Sequence, residues 1–168
     1  MSELFGERLK ELRKSAGLTQ AQFSEKLNVH LQTVSKWERG ISEPDFALYG
    51  EIAQALHIPL ERLVGAAEAE ECFAGTFDAV VFGKNLAVLR RGKGESQDAL
   101  ALVADTTPDI VSKWERGVIC PNIRQLLSMA EHFSLPASKL YFGIGEEIAT
   151  ETPQQFRRRR RFSYLWAG

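Results

Sequence analysis

Apolar residues recur at helical spacing along most of the chain, and turn residues punctuate them. Over 3–15, Leu4, Phe5, Leu9, Leu12 and then Ala16 share one face of a helix. Gly17 follows as a left-handed stop. Thr19 with Gln22 has the spacing of a capping box and opens a second helix that runs to Leu27. Asn28-Val29 makes a tight turn, and a third helix is predicted from 31 to 39, ended by Gly40. Pro44-Asp45 breaks the chain and is expected to cap a fourth helix over 46–56, with Phe46, Tyr49, Ile52, Ala53 and Leu56 inward. Pro59 begins a short fifth helix carrying Leu60 and Leu63. No stretch alternates with the period of a half-buried strand.

The pattern then starts again. VSKWERG occupies 34–40 and returns at 111–117. At the same offset of 77, Phe5-Gly6 falls on Phe82-Gly83, Leu9 on Leu86, Gly17 on Gly94, Gln20 on Gln97, Pro44 on Pro121, Pro59 on Pro136 and Leu63 on Leu140. One unbroken offset over about sixty residues means two copies of one folding unit. The expected division is a first unit over 1–65, an acidic linker over 66–79, a second unit over 80–143 and a loose tail over 144–168. In the second copy, Asn122 is expected to cap the fourth helix.

Two short helices joined by a tight turn and packed on a third form a helix-turn-helix, whose second helix enters the DNA major groove. On the third helix Val34 and Trp37 share the side expected to face the core. Leu31, Gln32, Thr33, Ser35, Lys36 and Arg39 lie on or near the other side. That side offers an amide suited to adenine and an ammonium suited to guanine. Gln20 opens the second helix, where a phosphate contact would sit.

Thr19-Gln20, Val29, SKWERG and Pro44 together resemble the Cro/CI-type (XRE-like) helix-turn-helix family, over 3–65 and again over 80–142. The resemblance implies an all-α chain of two tandem five-helix lambda-repressor-like domains, binding double-stranded DNA as a transcriptional regulator, a repressor by expectation. It implies no catalytic residues, metal or cofactor. It places Leu31, Gln32 and Lys36 at base-reading positions and Gln20 and Arg39 on phosphates; Thr33 and Ser35, read from the helix itself, join the base-reading candidates as flanking contacts. It also pairs Arg13 with Glu38, and Arg90 with Glu115, as structural ion pairs. The counterparts in the second copy are Asp109, Ile110, Ser112 and Lys113 for bases, and Gln97 and Arg116 for phosphates.

The copies differ where reading would occur: Leu31-Gln32-Thr33 becomes Pro108-Asp109-Ile110. Asp109 can accept from cytosine but repels phosphate; Ile110 offers only apolar contact. If both copies read, one chain is a covalent pseudo-dimer with an asymmetric operator. If only the first reads, two chains must pair as a homodimer to cover a palindrome. The alternative class is a protein-interaction module, antitoxin-like or membrane-anchored, in which the repeats are scaffold.

Composition narrows this further. A chain of 168 residues with 44% hydrophobic and 26% charged residues is of ordinary globular type. Its net charge of −1 gives no global basic field, so any attraction to DNA must be local. Cys72 and Cys120 lack metal-type spacing and read as free thiols. His57 and His132 read as helix-end residues, whereas His30 is placed to cap the recognition helix or approach a phosphate. No nucleophile–base pair, phosphate loop or small-molecule substrate site is expected. The tail carries Arg157, Arg158, Arg159, Arg160 and Arg161, then Phe162, Tyr164, Leu165 and Trp166. Three readings stay open for it: a solvated tail, a basic arm on DNA, or a membrane-surface contact with Trp166 at the interface. The last resembles the flank of a membrane helix and carries the expectation that the natural chain continues past Gly168. Otherwise a cytoplasmic protein is expected.

Overall fold

The computed structural model describes residues 2–66 and 75–143, and within them ten helices and no strand. The first five are α1 (Ser2–Ser15), α2 (Gln20–Lys26), α3 (Leu31–Glu38), α4 (Leu48–Ala55) and α5 (Leu60–Val64). The second five are α6 (Ala79–Gly92), α7 (Gln97–Val103), α8 (Pro108–Glu115), α9 (Ile123–His132) and α10 (Ala137–Phe142). The chain is therefore all-α, with the five-helix pattern present twice.

Local chemistry explains the boundaries. Thr19 and Gln22 form a reciprocal capping box at α2, and Asn122 with Gln125 does the same at α9. Asp78 caps α6 by accepting from Val80 and Val81, and Ser96 caps α7 by accepting from Ala99. Pro108 stands in the first turn of α8, where no helical partner for an N–H is lost. The turns between α2 and α3 and between α4 and α5 need a left-handed residue. Asn28 (φ 52°) and His57 (φ 54°) supply it, and at the same offset Asp105 (φ 48°) and Ser134 (φ 54°) do so again. Thus the repeat extends to unusual backbone conformations.

Three local expectations are corrected. Asp45 does not cap α4: the helix begins at Leu48 behind Ala47, which is already helical, and Asp45 contributes only its carbonyl, to Leu48. His30 stands at the N-cap of α3 without a side-chain capping bond. Leu4 and Ala16 are not on the inner face of α1; Leu4 is 62% exposed, and the residues buried there are Phe5, Gly6, Leu9 and Arg13. Gly6 has a reason that the pattern did not reveal. A Cβ at Gly6 would stand 2.8 Å from the Glu38 carbonyl oxygen, and Gly83 sits against Glu115 in the same way, again at 2.8 Å. These glycines let α1 approach the end of α3, and α6 the end of α8.

The two halves share one hydrophobic core. Phe46, half-buried, packs on Phe77 (centroids 5.1 Å), Phe82 (5.9 Å) and Tyr141 (5.1 Å). The Tyr141 hydroxyl reaches the carbonyls of Phe46 (2.7 Å) and Ala47 (2.9 Å) and accepts from the Gly50 amide (3.2 Å). Beside this cluster, α5 meets α10: the Glu61 carboxylate, 1% exposed, accepts the Ser138 amide at 2.7 Å. Ser138 is the counterpart of Glu61 at the offset of 77. A position that touches its own counterpart lies where a two-fold axis would pass. The halves are thus docked like the subunits of a symmetric dimer, within one chain.

Candidate nucleic-acid interface

The candidate surface is carried by α3 and α8, each held from behind by α1–α2 or α6–α7. Val34 and Trp37 are buried, at 0% and 3% exposure, and so are Val111 and Trp114. These four anchor the helices and leave the opposite faces outward. On α3, Leu31, Gln32, Lys36 and Arg39 are exposed, while Thr33 and Ser35 are half-buried. Arg39 donates from Nε to the Ser35 carbonyl at 3.2 Å, which folds its guanidinium back along the helix end. On α8, Asp109 and Arg116 are exposed, and Ile110, Ser112 and Lys113 are half-buried. Arg116 repeats the arginine bond, Nε to the Ser112 carbonyl at 3.2 Å.

Behind each face sits a three-residue relay. Arg13 donates from Nε (2.5 Å) and Nη2 (3.0 Å) to the two carboxylate oxygens of Glu38. Gln20 donates from Nε2 to the same carboxylate at 2.7 Å. In the second half, Arg90 donates to Glu115 at 2.6 and 3.1 Å and Gln97 donates at 2.8 Å. A third guanidinium N–H closes the loop between the first two helices of each half, Arg13 to Leu18 O and Arg90 to Glu95 O, both 2.6 Å. Burial alone would raise the Glu115 carboxyl; hydrogen bonds from Arg90 and Gln97, with the charges of Arg90 and Arg91, outweigh it and hold it below the ordinary carboxylate value. The relay fixes the amide at the start of α2 and of α7. It leaves that amide's oxygen and second N–H proton outside the pair with the glutamate.

The two faces differ electrostatically. Lys113 binds Asp109 on its own helix, Nζ to Oδ2 at 2.7 Å. The hydrogen bond and charge of Lys113 hold the Asp109 carboxyl below its ordinary value. At the corresponding positions of α3, Gln32 stands four residues before Lys36 in place of a carboxylate. The α8 face therefore carries a self-neutralised pair where the α3 face carries a cation and an amide. Asp109→Asn is expected to release Lys113. Binding to DNA of random sequence should tighten and its log K should fall more steeply with log salt, by about one unit of slope. Filter binding across a salt series reads this, and an unchanged slope would mean that Lys113 stays off the phosphates.

Among the described residues no group of histidine, cysteine or carboxylate side chains could hold a metal ion. Cys120 is a half-buried free thiol pushed up by burial. Cys72, the arginine run at 157–161 and Trp166 lie outside the described residues. No described helix is long and apolar enough to cross a membrane. His132 is tied to Glu95, with Nε2 at 2.9 Å from the carboxylate.

Paired short helices, the second anchored by a buried valine and tryptophan and tied through its glutamate to an arginine and a glutamine, have the form of a helix-turn-helix unit of XRE type. The helix-turn-helix family model matches residues 9–63 and again 86–140, and the chain belongs to that family. It is 33% identical over 66 residues to the HTH-type transcriptional regulator ImmR of Bacillus subtilis, covering 39% of this chain and 52% of that protein. It is 33% identical over 87 residues to the HTH-type transcriptional activator BcrR of Enterococcus faecalis, covering 51% of this chain and 42% of that protein. The chain thus spans about half the length of the curated relatives it matches.

Proposed function

We propose that the chain is a transcriptional regulator that binds double-stranded DNA through α3 and α8 as an internal pseudo-dimer. The observation that carries this reading is the contact of Glu61 with its own counterpart Ser138, around which two helix-turn-helix units dock. Dimeric proteins of this kind place recognition helices in successive major grooves about 34 Å apart, and a two-fold between the units is what that geometry needs. In this reading Gln32 and Lys36 read bases on one half-site. Asp109, with Lys113 beside it, reads the other. Gln20, Gln97, Arg39 and Arg116 hold phosphates. Leu31, Thr33, Ser35, Ile110 and Ser112 make the flanking contacts. Repression follows wherever the bound site overlaps that of the polymerase. The proposed units span 1–65 and 80–143.

Selection from random duplexes of about 30 base pairs tests this. The expected product is a site with two unlike halves about ten base pairs apart, bound by one chain. Gln32→Ala should then cost about 1–3 kcal/mol and relax preference at one base pair of one half only. A palindromic site bound by two chains would reduce the second unit to scaffold.

One observation favours a second role for that unit. Val80, Val81, Val118 and Ile119 are 39–62% exposed, and Gly117 packs on the backbone at Val80, which brings them together. Such a patch suits a protein partner. Failure of the selection to enrich any site, at low or physiological salt, would move the assignment there.

A further inference from the structure

The outward face of α6 departs from its counterpart on α1. On α1, Glu7, Lys10, Glu11 and Lys14 are all exposed, an ordinary solvated face of mixed charge. At the offset of 77 they become Lys84, Ala87, Val88 and Arg91. Both acids are gone, and the two charges that stand there are positive. Val81 and Val88 are 40% and 39% exposed on this face. Val81, Lys84, Val88 and Arg91 line a groove of about 700 Å³, together with Gln97 and Arg116. Its lining includes one carboxylate, Glu115, which is already held by Arg90 and Gln97. Lys84 and Arg91 make no salt bridge among the described residues. The groove is therefore apolar and positive, and suits an occupant with apolar and anionic side chains on one face.

Two further observations bear on what that occupant is. Gly143, the last described residue, belongs to the lining, and a Cβ there would stand 2.9 Å from Val81 Cγ1. The chain thus leaves α10 beside the first turn of α6. The Asn85 side chain stands against the same Gly143, and its Nδ2 is buried without a hydrogen-bond partner among the described residues. A buried amide of this kind calls for an acceptor. The residues that follow Gly143 are Ile144, Gly145, Glu146, Glu147, Ile148, Ala149, Thr150 and Glu151. At helical spacing Ile144, Glu147, Ile148 and Glu151 share one face. The same steps of three, four and seven separate Val81 from Lys84, Asn85 and Val88 on α6. Pro153 stands where such a helix would stop.

We propose that residues 144–151 of this chain dock in the groove along α6. Ile144 and Ile148 lie on Val81 and Val88, and Glu147 and Glu151 turn to Lys84 and Arg91. Eight helical residues span about 12 Å, enough to run from Val81 past Val88. Tethered at Gly143, the segment meets its groove at an effective concentration on the order of millimolar, so modest contacts suffice. A DNA phosphate would gain from the two cations but nothing from the valines. The docked segment also lays its carboxylates beside Gln97 and Arg116, which line the same groove. It therefore masks the phosphate contacts of the second unit until DNA or a partner displaces it. That masking rests on the pseudo-dimer reading, whereas the docking itself does not.

The experiment treats the whole chain, without DNA, with a water-soluble carbodiimide, which joins lysine amines to carboxylates in contact. Mass spectrometry of the monomer fraction then maps the joined peptides. Lys84 joined to Glu146, Glu147 or Glu151 is the expected result. Methyl resonances of Val81 and Val88 are followed in parallel. Glu147→Lys with Glu151→Lys should shift them, and adding Lys84→Glu with Arg91→Glu should return them towards the native positions. Absence of the Lys84 coupling, its appearance only in a covalent dimer, or methyls that ignore the charge reversal would each overturn the proposal. The dimer result would make a second copy the occupant. Ile144→Ser with Ile148→Ser keeps every charge in place and reads the masking separately. Affinity for duplex DNA of random sequence should rise several-fold in that variant. An unchanged affinity, with the Lys84 coupling present in the native chain, would overturn the masking and leave the docking standing.

Discussion

Arg90→Ala is expected to lower the stability of the folded chain by about 3–5 kcal/mol, the usual cost of leaving a buried charge without its partner. The side chains of Arg90 and Glu115 are 9% and 6% exposed, so water does little to replace the pair. The variant strands the Glu115 carboxylate, removes the donor that holds the Glu95 carbonyl, and leaves Gln97 as that carboxylate's remaining side-chain donor. Its pH dependence separates this loss from simple loss of packing. In the native chain the Glu115 carboxyl is held below its ordinary value, so its contribution is full above that value and is lost as pH falls through the lowered one. Without Arg90, desolvation outweighs what remains. The folded-state value should then lie above the unfolded one, and lowering the pH towards about 4 should narrow the deficit. Urea denaturation of both chains across that range measures it. A deficit under about 1 kcal/mol, flat with pH, would mean that the pair is replaced by water at no cost.

Much of this architecture was legible because the repeat could be read twice. The identical heptapeptides carry Val34 and Trp37, or Val111 and Trp114, on one side and a paired glutamate between them and the stop glycine. That fixes which face of α3 and α8 is buried. Capping boxes at Thr19 and Asn122 are short-range chemistry and need no tertiary knowledge. The start of α4 was misplaced because Asp45 has the type of a cap, whereas its side chain makes no capping bond and the chain turns through Phe46 and Ala47 first. Leu4 misled for another reason: the helical period selects a face but cannot say where along α1 the core ends. The inter-unit contacts were invisible to any reading of one copy. Their trace is the asymmetry between copies. Phe46 stands against Ile123, Tyr141 against Val64 and Glu61 against Ser138, each a change at a position that the fold otherwise repeats. Equally, Asp109 and Lys113 are one helical turn apart in the sequence, and their mutual neutralisation follows from that spacing.

Tyr141→Ala should cost about 3–5 kcal/mol, as for a fully buried aromatic truncated in a core, and should also uncouple the two halves. Tyr141 is 0% exposed and touches Phe46, Phe77 and Phe142 through ring contacts of 4.8–5.1 Å. Its hydroxyl is the acceptor for Gly50 N–H, which would be left without a side-chain partner. Burial pushes its phenol up, so it remains a donor to the Phe46 and Ala47 carbonyls at any pH near neutrality. The native chain, with one shared core, is expected to melt in a single transition; the variant should melt in two, or in one broad enough that calorimetric and van't Hoff enthalpies disagree. Tyr141→Phe isolates the hydroxyl and should cost only about 1–3 kcal/mol with the single transition retained. The DNA consequence follows from effective concentration. On the proposed pseudo-dimer reading, docked halves let the binding of one present the other at its half-site without further ordering. Undocked, each half binds with its own affinity through a looser tether, and sensitivity to the spacing between half-sites should fall. Operators with one or two base pairs inserted between the halves read this directly, as a penalty large in the native chain and small in Tyr141→Ala. An equal penalty in both would show that the spacing is set elsewhere than at α5 and α10.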